Sequence, residues 1–140
     1  MAVQDRAGSM VVDHHARGAR LARQRLADEL AGLVPSALLA DTVAIAAELL
    51  GNAVRHAAPL PGGVIRLSWL VGPAVSVGGV YVLLKVTDGG SAQAPAPRRA
   101  EPDAVDGRGL TIVDALAHRW GVEPAPDGQC VWAELGTPAR

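Results

Sequence analysis

The chain has 140 residues, 49% of them hydrophobic and 19% charged, enough for one domain with a buried core and unlike a disordered segment. A formal net charge of −1 argues against nucleic-acid binding by bulk electrostatics. The lone cysteine, Cys130, excludes an internal disulfide and suits a reducing, cytoplasmic setting; no apolar run approaches the ~20 residues that span a bilayer, and Met1–Ser9 lacks the apolar stretch of a signal peptide.

Residues 1–9 are polar and read as a disordered segment ahead of a single domain over 10–140. Met10-Val11-Val12 fits a short edge strand, and Asp13 is a candidate cap for a helix starting near His14 or His15. The adjacent His14 and His15 do not have metal-ligand spacing. Ala22, Leu26, Leu30 and Leu33 recur at helical spacing, so this amphipathic helix should end near Gly32, its arginines serving solubility. Ser36 is a candidate N-cap for a second helix over about Ala37–Ala57, stopped by Pro59.

On that second helix, Glu48, Asn52, Arg55 and His56 share one face, and Val43, Ala46, Leu50, Ala53 and Ala57 share the opposite, core-facing one. The polar face is either solvated or a site. A carboxylate can take a proton, a carboxamide oxygen can ligate a hard cation, and the basic groups can offset phosphate charge. Gly51, inside the helix, costs ~1 kcal/mol relative to Ala. Close approach of a ligand or loop would explain it, and so would neutral drift.

Pro61-Gly62-Gly63 is a turn. Val64–Val71 and Val80–Thr87 both alternate and suggest an antiparallel hairpin. Asp88 continues the apolar row of the second strand, where an acid is costly unless paired. A ligand donor, a backbone cap or an arginine would each serve. Gly89-Gly90 permits tight backbone geometry. Ser91–Asp106, with three prolines and five alanines, shows no periodicity and fits a lid or binding loop. Gly107-Arg108-Gly109 opens a helix carrying Leu110, Ile112, Val113 and Leu116, whose N–H groups suit phosphate. Gly121 is read as its end, Asp127-Gly128 as a turn, and Val131, Ala133 and Leu135 as one row of a last strand.

Three pieces thus occur in fixed order: Glu48-x-x-x-Asn52, Asp88-Gly89-Gly90 and Gly107-Arg108-Gly109-Leu110. Together they resemble the N box and two glycine boxes of the ATP-binding superfamily of gyrase, heat-shock chaperones, histidine kinases and mismatch-repair proteins. Glu48-Leu49, Asn52-Ala53-Val54-Arg55-His56, Trp120-Gly121 and Val131-Trp132-Ala133-Glu134-Leu135 look most like the small anti-sigma-factor serine kinases within it. The resemblance covers nearly the whole chain. It implies an α/β (α+β) two-layer sandwich of the Bergerat type, with a mixed, mainly antiparallel sheet and helices on one face.

By the same resemblance, the ligands are ATP and Mg²⁺. Asn52 would ligate the metal, Glu48 would act as general base, and Asp88 would accept a hydrogen bond from the adenine amino group. Gly90 would let the backbone approach the base. Gly107, Arg108, Gly109 and Leu110 would hold phosphate, Arg55 and His56 would contribute to ATP binding, and residues 91–106 would close as a lid. The expected activity is phosphoryl transfer to a serine of an anti-sigma antagonist, with sequestration of a sigma factor and a homodimer as further expectations. No direct nucleic-acid or membrane partner is expected. One departure stands out: Ala92 occupies a position that is often glycine in the first glycine box. It motivates the alternative of a non-catalytic, nucleotide-gated protein-binding module.

Overall fold

A computed structural model describes residues 6–74, 79–90 and 108–137. Eight elements follow in order: β1 (Arg6–Asp13), α1 (Ala16–Leu30), α2 (Ser36–His56), β2 (Val64–Ala74), β3 (Gly79–Asp88), α3 (Arg108–Leu116), β4 (Arg119–Ala125) and β5 (Gly128–Gly136). The strands form one sheet in the order β1-β2-β3-β5-β4. Every pairing in it is antiparallel, so the mixed character expected from the sequence is absent from the described strands.

Period-two alternation decides which face of the sheet is covered. Ile65, Leu67, Trp69 and Val71 of β2 are buried, as are Val82, Leu84 and Val86 of β3. Register places Leu67 opposite Val86, and Leu84 opposite Ala133 of β5, so these rows form one continuous apolar floor. The helices pack on it as a second layer. α1 contacts β1, α2 contacts β3 and β5, and α3 contacts β4, with α2 touching both other helices. By length and composition α2 could cross a bilayer, contrary to the reading that no run approaches that size. Here it is the central helix of the layer, with Leu38, Ile45, Ala46, Leu49, Leu50 and Ala53 in the core.

Several local expectations are corrected. Arg6–Ser9, read as disordered, pair with β2 from Ser68 to Val71, because main-chain pairing needs no apolar side chains. His15, not Asp13, caps α1: its Nδ1 accepts the Arg17 N–H at 3.1 Å, while Asp13 is still the last residue of β1. Ser36 is the first residue of α2, behind Pro35, and provides no side-chain cap. Gly121 does not end α3. The helix stops at Leu116, and Gly121 lies inside β4, opposite Trp132. β4 escaped notice because Gly121 and Pro124 interrupt its pattern; an edge strand tolerates both. Trp120 ties β4 back to α3 by donating from Nε1 to Asp114 Oδ1 at 3.0 Å.

Candidate functional site

Glu48 and Asn52 lie one turn apart near the C-terminal end of α2, and both are half-buried rather than solvated. Among the described residues, Glu48 has no hydrogen-bond or ion-pair partner. Asn52 Oδ1 accepts a hydrogen bond from Arg55 Nη2 at 3.1 Å. Its Nδ2 is the buried side-chain polar atom that has no partner among the described residues. A buried amide left without any partner costs roughly 1–3 kcal/mol, so this group has capacity for a further acceptor. Arg55 and His56 are both exposed. No contact among the described residues draws His56 toward Asn52 or Asp88.

Gly51 has a local explanation. The Arg55 guanidinium folds back over it, and a Cβ at position 51 would stand 2.8 Å from Nη1. Among the described residues, the close approach comes from the helix's own side chain.

Asp88 ends β3 on the covered side of the sheet and is 2% exposed. Its Oδ1 accepts the Gly90 N–H at 2.7 Å, and the Gln129 side chain also hydrogen-bonds it. Burial pushes its carboxyl above the usual carboxylate range; the Gly90 N–H, Gln129 and nearby His14 each pull the other way without cancelling it. Of the partners that the sequence left open, a backbone cap is therefore present. The acid remains poorly solvated, which suits an acceptor for a ligand's N–H.

Backbone contacts bind the Asp88 turn to the end of α2. Ala58 N donates to Gly90 O at 2.8 Å, and Gly89 N donates to Ala58 O at 2.7 Å. Gly89 must lack a side chain here, because its Cβ would collide with the Pro59 carbonyl oxygen. Gly90 has φ +87°, a left-handed conformation that glycine adopts freely. Asn52 lies four residues before His56, the last residue of α2, about 6 Å along the helix axis at ~1.5 Å per residue. The structure thus brings the N-box-like helix end and the first glycine-box-like turn together.

His14, which the sequence singles out only as lacking metal-ligand spacing with His15, joins the same region. Its Nε2 lies 2.9 Å from Ala53 O and 2.8 Å from Ala57 O. Carbonyl oxygens only accept, so Nε2 carries the proton and donates to both. His14 thereby secures the last turn of α2 across sequence separations of 39 and 43 residues. Gln129 also went unremarked, though register sets it opposite Asp88. Arg108 and Gly109 open α3 as expected, and Leu110 packs against the core. Gly107, Ala92 and the lid residues 91–106 lie outside the described residues.

Two predictions follow from this geometry. Gly51→Ala should displace only the flexible end of Arg55 and raise stability by roughly 0.5–1 kcal/mol in urea denaturation, since alanine is the better helix former. Asp88→Asn keeps an acceptor oxygen for Gly90 but cannot ionise. A carboxyl with a raised folded pKa contributes stability below its unfolded value, about 4, and loses it as pH rises through the folded one. Urea midpoints of the wild type and Asp88→Asn should therefore converge near pH 4 and separate in favour of the variant at higher pH; parallel curves would contradict the buried-acid account.

A search of curated proteins gives no match. The family model described as histidine kinase-like ATPase domain matches residues 12–135, spanning every element from the end of β1 to β5. That match supports ATP binding and suggests ATP-dependent kinase or ATPase activity. The chain belongs to the histidine kinase-like ATPase domain family.

Proposed function

We propose that the chain is a cytoplasmic, Mg²⁺- and ATP-dependent protein serine kinase of the anti-sigma regulator type. It would phosphorylate a serine of a small antagonist protein and sequester a sigma factor. The observation that carries this reading is the pair on α2: a half-buried Glu48 carboxylate with no partner among the described residues, one turn from the half-buried Asn52 carboxamide, whose Nδ2 lacks a partner among them too.

Asn52 fits the metal. Its carboxamide oxygen is a hard donor of the kind that Mg²⁺ takes. Among the described residues, no three His, Cys, Asp or Glu side chains are grouped to hold a metal ion. A cation at Asn52 would thus draw its other ligands from phosphate and water, the usual arrangement for Mg²⁺. When bound, the metal offsets phosphate charge. Asp88 accepts from the adenine amino group, and Gly90 lets the backbone lie against the base. The α3 N-terminus, with Gly107, Arg108, Gly109 and Leu110, holds phosphate. Glu48 takes the proton of the acceptor serine as its oxygen bonds to the γ-phosphorus. The bond from that phosphorus to the β–γ bridging oxygen breaks, and ADP leaves.

A second reading is a nucleotide-gated protein-binding module with no useful catalysis. One observation favours it: Asn52 Oδ1 already carries Arg55. Terminally labelled ATP, incubated with the protein and anti-sigma antagonist proteins, separates the two readings, because label on a partner serine excludes the second. Glu48→Ala should bind ATP as the wild type does while transfer falls about 10²–10⁴-fold, the range supplied by a general base. Undiminished transfer would remove Glu48 from the mechanism.

A further inference from the structure

Gly51, Asn52 and Arg55 form a unit whose geometry the roles above leave unused. Arg55 lies back along α2, with Nη1 2.8 Å and Nη2 3.3 Å from where a Cβ of residue 51 would be. From that position Nη2 donates to Asn52 Oδ1 at 3.1 Å. Among the described residues Arg55 has no carboxylate partner, and its side-chain hydrogen bond there is the one to Asn52. The oxygen it occupies is the atom read above as the cation ligand. A guanidinium carries a full positive charge and repels a divalent cation at the same oxygen. Its donor also uses acceptor capacity that the metal needs.

We propose that Arg55 and Mg²⁺ compete for Asn52 Oδ1, and that Gly51 supplies the berth from which Arg55 competes. These two residues then set how strongly nucleotide binding depends on the divalent cation. Displaced from the carboxamide, the guanidinium would be free to offset phosphate charge. A Cβ at position 51 would push the guanidinium off its place and weaken its hydrogen bond to the carboxamide oxygen beforehand. This inference rests on Asn52 being the cation ligand in the proposed function.

The test is a titration of MgCl₂ into the full chain at fixed ATP concentration, with bound ATP as the readout, for wild type, Arg55→Ala, Gly51→Ala and Asn52→Ala. The magnesium concentration at half-maximal enhancement should fall roughly three- to tenfold in both Arg55→Ala and Gly51→Ala, the worth of one competing hydrogen bond. A lost phosphate contact in Arg55→Ala lowers affinity at every magnesium concentration and leaves the midpoint's direction intact. Gly51→Ala retains Arg55 and is free of that loss. An unchanged or raised midpoint in either variant overturns the proposal. Asn52→Ala separates the two possible failures. If it keeps the wild-type enhancement, Asn52 is not the ligand and the competition falls with that reading. If it loses the enhancement while the other two keep the wild-type midpoint, the ligand stands and the competition is refuted.

Discussion

The two halves of the candidate site are joined by a pair of main-chain hydrogen bonds, Ala58 N to Gly90 O and Gly89 N to Ala58 O. They fix the end of the central helix against the end of the third strand at a distance that no residue with a Cβ at position 89 could match. Because backbone atoms make the joint, no long side chain must be immobilised to keep the site in register. The helix supplies Glu48 and Asn52, the strand supplies Asp88, and both elements are anchored in the core by Leu49, Leu50, Ala53, Leu84 and Val86. Functional groups carried on such packed elements hold their geometry better than groups on loops. His14 reinforces the joint from a third direction, through the two carbonyls of the last helical turn.

The free protein carries two local costs at this joint. Asp88 is buried beyond what Gly90 and Gln129 offset, and Asn52 leaves a buried N–H group without an acceptor among the described residues. Each alone would be an ordinary imperfection. They fall where the end of α2 meets the end of β3, and perturbed or incompletely bonded buried groups of this kind cluster at functional sites.

Much of this was legible in the chain because periodicity survives where both faces of an element differ. The hairpin of β2 and β3, the core stripe of α2, and the buried phase of Asp88 all follow from spacing alone. What escaped is non-local or masked by edge chemistry. His14 works through carbonyls some forty residues away, which no local pattern encodes. Gln129 matters only through its register with Asp88. β4 hides behind a glycine and a proline that interrupt its pattern and that its edge position tolerates. β1 reaches back to Arg6 through backbone pairing that its polar sequence does not announce. Gly51 was visible as an anomaly, but its cause, the return of Arg55 over the helix, requires coordinates.

The central claim is that Asn52 and Asp88, one on the helix and one on the strand, serve a single nucleotide. Calorimetric titration of ATP and ADP, with and without Mg²⁺, into wild type, Asp88→Ala and Asn52→Ala tests it most directly. Loss of Asp88 should weaken ATP and ADP alike, whatever the metal, whereas loss of Asn52 should remove mainly the magnesium-dependent part of ATP binding. Wild-type affinities for both nucleotides in Asp88→Ala would contradict the account.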